Sequence, residues 1–371
     1  SYYIDSAGEV ITQENMIAIG SAEELKAFRD DVNSGNSYEG KYIYLTGNIT
    51  LNSSEQWEPI GLYPNDSPTP DDESNKPFSG IFDGKGYEVN GIYINTTNKV
   101  QGLFGLVKSG KITSLGVGEN NTITGGIGTA GVVGYAYNGT IVCNCYNKAN
   151  IIGGNYNIGG VVGIAYTNCK IVSVYNTANI VSTNQRIGGI VGTTENNIYI
   201  EKCYNTGEIN GTSYIGGIAG YLDNSSINQC YNRGKIIASE NNVGGIVGKS
   251  YNNAKLINSY NIGLIETTAE RVGGVIGYNQ DSQVLNCYNV GNVNSNVANY
   301  IGGIIGQSTG NILVEHNYFL ENVVNNSDGN SMNGVEAKTA EELKEIYNIL
   351  GESWKEDNEG INNGYPILNW Q

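Results

Sequence analysis

Six cysteines, one histidine, scattered carboxylates and a glycine-rich string are the parts of this 371-residue chain that could do chemistry. The string is "RIGGIVGTT", Arg186–Thr194. Taken alone it has the look of a phosphate loop, whose backbone amides cradle an anion at a helix N-terminus. Four of the cysteines, Cys145, Cys203, Cys230 and Cys287, precede a Tyr-Asn pair, where Val174 and Ser259 also stand. A place that accepts Cys, Val or Ser asks for a small, half-buried side chain. Zinc would need paired Cys-x2-Cys spacings, and the Cys143/Cys145 pair has one residue between and stands alone. Stacked parallel positions such as Cys203 and Cys230 rarely suit disulfide geometry, so free thiols are expected. His316 is the only histidine. A catalytic triad would need a nucleophile and an orienting group around it; His316 sits in the last, degraded copy of a repeat, and a structural surface role is expected.

Carbohydrate chemistry would need carboxylates converging on one face. Glu119, Glu195, Glu201, Glu208, Asp223, Glu240, Glu266, Glu270, Asp281 and Glu315 fall at different places in the pattern. Glu208 is expected to pair with Arg233 or Lys235, and Asp83 in "FDGKG" to serve a turn. Asp66, Asp71, Asp72 and Glu73 lie in the segment Tyr63–Lys76, which matches neither calcium-loop pattern and is read as a solvated acidic loop. No metal, cofactor or catalytic residue is expected.

The glycine string is repeated, and that changes its meaning. It occurs eight times, its second position falling at Gly102, Gly131, Gly160, Gly189, Gly217, Gly245, Gly274 and Gly303, a period of 28–29 residues. A second motif keeps the same period: "NCYN", "SVYN", "KCYN", "QCYN", "NSYN", "NCYN", and a degraded "HNYF". No helical apolar stripe runs through the units. They hold short apolar runs broken by Asn, Gly and Ser, read as two or three strands each. Units this small must stack to bury a core. The expected fold is all-β: a right-handed parallel β-helix of about 28–29 residues per coil, with short capping helices at the termini. The glycines then allow positive φ and close backbone approach. Expected boundaries are a capping region at 1–77, coils at 78–317 and a second capping region at 318–371.

In register, Tyr146, Tyr175, Tyr204, Tyr231, Tyr260, Tyr288 and Tyr318 form a column, either stacking to fix register or offering an aromatic strip to a ligand. The following Asn147, Asn176, Asn205, Asn232, Asn261 and Asn289 are expected to make a hydrogen-bonded ladder. At the two ends, "SAEE" (Ser21–Glu24) and "TAEE" (Thr339–Glu342) read as capping boxes opening helices over Ser21–Val32 and Thr339–Leu350. At least the first should cover the end of the core. The formal net charge of −16 is concentrated in the terminal regions, the coils being near neutral. This disfavours a basic nucleic-acid groove and discourages end-to-end growth. No apolar run is long enough for membrane insertion as a helix. The chain begins at Ser1 with no visible signal peptide and is read as a mature or excised segment, monomeric.

The [IV]-G-G-[IV]-[VAI]-G string followed by C-Y-N-x-G resembles the GLUG-motif repeats of bacterial secreted and cell-surface proteins, as in the non-catalytic regions of IgA-specific metallopeptidases. "SAEELKAFRDDVNSGNSYEGKYIYLTGNITL", "WEPIG" and "FSGIFDGKGYEVNGIYI" resemble the segment that opens such domains, and "KTAEELKEIYNILGESW" with "NNGYPILNW" the segment that closes them. The resemblance implies an extracellular or cell-surface, non-catalytic repeat domain acting in adhesion, ligand binding or as a rigid spacer. Its partner would be a host or environmental glycan or a surface protein. The alternative is a polysaccharide lyase or glycosidase built on a β-helix.

Overall fold

The structure is a computed structural model describing residues 2–4, 10–297, 299–324 and 332–371. It is a parallel β-solenoid of about 10 turns. One coil shows the plan: strands at Ile187–Gly188, Val191–Glu195, Tyr199–Glu201, Tyr204–Asn205 and Ile209–Gly211, then Ile215–Gly216 one turn on. Each strand pairs in parallel with its equivalent in the next coil, as in Val191 with Ala219 and Ile200 with Ile227. There are thus five strands per coil, where two or three were expected. The apolar runs are cut by sharp bends that composition alone does not mark.

Those bends are made by residues in the left-handed region. In this coil they are Arg186 (φ 64°), Asn196 (65°), Asn197 (67°) and Lys202 (55°). Asparagine tolerates this region; arginine and lysine enter it at a cost of roughly 1–2 kcal/mol, held there by the ladders on either side. The bend before the Tyr-Asn pair recurs at Gln229, Asn258, Asn286 and finally His316 (φ 56°). The lone histidine is therefore an exposed corner residue of the last coil.

The repeat glycines do something other than supply positive φ. Gly188, Gly189 and Gly192 are absent from the left-handed region, which corrects half of the expectation above. Close approach is the other half, and it holds. A Cβ on Gly188 would stand 2.0 Å from the Val191 carbonyl oxygen, and one on Gly189 would stand 2.2 Å from the Gly217 carbonyl oxygen and 2.5 Å from Cγ of Asn205. The pair spans a corner between two strands, and the second glycine lies against the asparagine of the other repeated motif. The same meeting occurs at Gly160 with Asn176, Gly217 with Asn232 and Gly245 with Asn261. The two sequence motifs keep one period because they touch. Gly189→Ala is expected to cost about 1–3 kcal/mol through forced displacement of the next coil. Gly154→Ala, whose added carbon would meet only the Gly125 oxygen at 3.8 Å, should change the denaturant midpoint little.

The interior is filled by columns of aliphatic side chains, including Ile112, Val142, Ile171, Ile200, Ile227, Leu256 and Val284, all fully buried. At the N-terminal end, helix α1 (Ala22–Asn33) is capped by Ser21, whose hydroxyl accepts from the Glu24 amide at 3.1 Å. The Glu24 carboxylate meets the Ser21 hydroxyl, so only one arm of the expected box is described. Leu25, Phe28 and Val32 are buried. Phe28 packs edge-on against Phe78 at 5.7 Å and beside Phe82 at 5.8 Å, closing that end of the core.

The C-terminal region departs from expectation. The capping box at Thr339 and Glu342 forms with both arms. The helix it opens is broken into α2 (Ala340–Lys344) and α3 (Tyr347–Leu350). These helices lie along the side of the solenoid, not over its end. Leu343, Ile346 and Leu350 share one face and pack with Tyr231, Tyr260, Tyr288 and Tyr318. An aromatic outer wall was available for that apolar face to bury against.

Candidate functional site

The tyrosines stack as the register requires. Ring centroids along Tyr146, Tyr175, Tyr204, Tyr231, Tyr260 and Tyr288 are 4.9–5.0 Å apart, with interplanar angles of 1–12°. Tyr318 follows Tyr288 in backbone register. From Tyr175 to Tyr260 both faces of each ring are occupied by its neighbours, leaving edges and hydroxyls outward. Tyr146, Tyr175 and Tyr204 are half-buried; Tyr231, Tyr260, Tyr288 and Tyr318 are buried.

The chain's own C-terminal segment covers the buried part. Trp354 lies 5.9 Å from Tyr260 and 5.4 Å from Tyr288, and Trp370 lies 5.7 Å from Tyr231 and 6.3 Å from Tyr204. The hydroxyls of the two fully buried tyrosines under the cover, Tyr260 and Tyr288, both find partners, as buried tyrosines must. Tyr260 donates to Oε1 of Gln371 at 2.9 Å. Tyr288 donates to the Pro366 carbonyl and accepts from Nδ2 of Asn362 at 2.7 Å. Burial raises both phenols well above the usual tyrosine range. The loop carrying Asn362 is organised by Asp357, which accepts from the amides of Ile361, Asn362 and Gly364 at 3.0, 2.7 and 2.9 Å. Burial pushes its carboxyl up, and these backbone donors outweigh it and hold the group low. The segment is a clasp, and resemblance to a closing segment could not have said which face it closes on.

Behind the tyrosines runs the asparagine ladder. Nδ2 of Asn147, Asn176, Asn205, Asn232 and Asn261 each donates to Oδ1 of the next asparagine at 2.8–2.9 Å. Each carboxamide also bonds both backbone groups of the residue two places on, as Asn205 does with Gly207. All are fully buried. The ladder ends where Phe319 takes the asparagine place in the degraded last copy.

The remaining candidates are dispersed. Cys145, Cys203, Cys230 and Cys287 are buried to 1% exposure or less, deeper than the half-burial expected, because the Tyr-Asn pair turns its small neighbour into the core. Burial raises the thiols of Cys145, Cys230 and Cys287, the last to about 12, keeping them protonated and unreactive. The cysteines are free thiols. Lys235 pairs with Glu266 at 3.0 Å, and Arg233 donates to the Ile361 carbonyl of the clasp, so neither makes the bond foreseen with Glu208. Asp83 serves its turn by accepting from the Lys85 amide at 2.8 Å, and also takes a hydrogen bond from Tyr42 at 2.5 Å. In the acidic loop, Asp71 is tied to Tyr137 at 2.5 Å and Lys108 at 2.9 Å, bonds that hold its carboxyl low. Among the described residues, no three His, Cys, Asp or Glu side chains assemble into a metal-binding group.

Comparison with curated proteins gives no match. Two solved structures are similar over most of this chain. One is a crystal structure of a putative immunoglobulin A1 protease from Bacteroides ovatus, 19% identical, covering 97% of this chain and 94% of that one, with a TM-score of 0.42. The other is titled IgA1 Protease, 15% identical, with a TM-score of 0.44; the match covers 84% of this chain and 22% of that one. The description of the GLUG motif matches residues 211–237 and 268–294. Each match takes in an Ile-Gly-Gly-Ile or Val-Gly-Gly-Val corner and the Cys-Tyr-Asn strand that packs on it. Two of the solenoid's repeats thus match the GLUG motif.

Proposed function

We propose that this chain is a non-catalytic, extracellular repeat module of a bacterial protein: a rigid shaft that holds a glycan-binding surface away from whatever it is attached to. The observation that carries this reading is the continuity of the asparagine ladder from Asn147 to Asn289 behind stacked tyrosines. A buried asparagine ladder and a stacked tyrosine column, both running through six consecutive coils, resist bending, since any tilt breaks buried hydrogen bonds. The dispersed carboxylates and the corner position of His316 favour binding over cleavage. The tyrosine column, with its faces spent on one another and its C-terminal half under the clasp, belongs to the shaft.

The test is a glycan and host-matrix array probed with the protein, followed by incubation with each retained polysaccharide. Retention without release of shorter sugars is expected, and it should survive the paired Tyr204→Ala and Tyr231→Ala changes. Cleavage products accumulating with time would replace this reading with that of a carbohydrate-active enzyme.

A further inference from the structure

Away from the tyrosine column, on the sheet that contains Val133–Tyr137, Val162–Tyr166, Val191–Glu195 and Ala219–Asp223, one place breaks the repeat in a way that makes room. The parallel register stacks Tyr135, Ile164, Thr193 and Tyr221 in one column. Two smaller side chains thus sit between two tyrosines, about three coil spacings or 14 Å apart. A cavity of about 180 Å³ opens there, lined by Tyr135, Asn157, Ile164, Tyr166, Arg186, Thr193 and Glu195, with Ala165.

Three polar atoms of that lining are buried and have no hydrogen-bond partner: Oγ1 of Thr193, Oδ1 of Asn157 and Nε of Arg186. Thr193 is 3% exposed and Asn157 7%. Buried polar groups are almost always paired, and each unpaired one costs about 1–3 kcal/mol. Three around one cavity mark a place where something else completes the bonds. The walls are also braced from behind. Tyr135 stacks on Tyr63 at 5.4 Å, Tyr166 stacks on Tyr137 at 5.7 Å, and the Arg186 guanidinium lies 4.3 Å over the Tyr221 ring. Side chains fixed in advance lose little freedom when a ligand arrives.

We infer that this cavity binds one neutral sugar ring of a glycan. It rests on the reading above that the shaft carries a glycan-binding surface. The unpaired set holds donors (Thr193, Arg186) and acceptors (Asn157, and the Thr193 oxygen), and a sugar hydroxyl both gives and takes a hydrogen bond. Tyrosine walls suit the apolar faces of a pyranose. The volume suits a single ring. Charge decides between neutral and acidic sugars. Arg186 and Glu195 approach to 3.8 Å and cancel, while burial raises the Glu195 carboxyl and nearby Asp223 adds to that rise. The cavity therefore offers an acidic sugar no net attraction.

The experiment measures retention of the intact protein on neutral, sialylated and uronic-acid glycans, with variants of the cavity. Thr193→Val keeps the shape and removes the hydroxyl; it should weaken retention about tenfold, and Arg186→Asn, which tolerates the left-handed backbone, by at least as much. Lys170→Ala, an exposed change on another sheet, should leave retention intact. Unchanged thermal midpoints would keep folding out of the comparison. If neutral glycans are retained equally by the wild-type chain and both variants, the cavity holds only water and this inference fails while the glycan-binding reading stands. If the wild-type chain retains no glycan, both fail. Preference for sialylated or uronic glycans, lost in the variants, would overturn the neutral-sugar assignment.

Discussion

Asn205→Ala is expected to destabilise the solenoid by about 3–5 kcal/mol, more than any surface change in the coils. The side chain accepts from Nδ2 of Asn176 at 2.8 Å and from the Gly207 amide at 3.2 Å. It donates to the Gly207 carbonyl and to Oδ1 of Asn232, both at 2.9 Å. Alanine strands all four partners in an interior that is fully buried. The sum of four unpaired groups would exceed the expected figure. A water entering the vacated carboxamide volume re-pairs some of them and keeps the loss near the low end. Asn205→Asp should be worse. It keeps the acceptors, loses both donors and places a charge in the interior. The check is urea unfolding together with amide exchange. Because each coil contacts only its neighbours, protection should fall first around residue 205 and spread from there. Exposed Asn294 replaced by alanine is the control, expected within about 0.5 kcal/mol of the parent. A loss below 1 kcal/mol for Asn205→Ala would mean that the ladder accompanies the fold without stabilising it.

The stacking of coils was legible because two unrelated motifs share a period, which only a repeat of the backbone can produce. That Gly189 rests on Asn205 was not legible. Where two points sixteen residues apart meet depends on the bends between them, here at Asn196, Asn197 and Lys202, and other corners of the solenoid sit at Arg186, Tyr214 and Arg271 as well as at asparagines. Arginine, lysine and tyrosine carry no local preference for left-handed backbone, so nothing in their identity marks a corner. This is also why five strands were read as two or three. The burial of Cys203 was underestimated for a related reason: a two-residue strand, Tyr204–Asn205, flanked by bends does not follow simple alternation. The cavity at Thr193 did leave a trace. Aligning the coils on their glycines puts Ile164 and Thr193 where Tyr135 and Tyr221 stand, a loss of bulk in one column. The clasp left less. The capping box at Thr339 announces a helix start, but the surface the helix buries against is created only when four tyrosines from four coils come into register.

That surface gives the second large effect. Trp354→Ala is expected to cost about 3–5 kcal/mol, confined to the docking of residues 340–371. Trp354 is 5% exposed, sits on Tyr260 and Tyr288, and clusters with Leu343, Leu350 and Leu368. The coils have their own core and ladders, so their unfolding should shift little while the clasp opens in an earlier transition. Limited proteolysis should then cut within 340–371 in the variant under conditions where the parent chain resists. Alkaline pH should act in the same direction. With the clasp closed, burial holds the phenols of Tyr260 and Tyr288 above their ordinary value. The stability tied to those two groups is complete below about pH 10, where a released tyrosine is still protonated, and falls as pH rises toward the raised values. In the parent chain, cleavage within 340–371 should therefore begin above about pH 10. In Trp354→Ala it should already occur at neutral pH, and the ultraviolet tyrosine titration should move back toward the ordinary range. Equal resistance of the two chains at neutral pH would transfer the holding role to the hydrogen bonds of Tyr288 with Asn362 and Pro366, and the same protocol applied to Tyr288→Phe would then release the clasp.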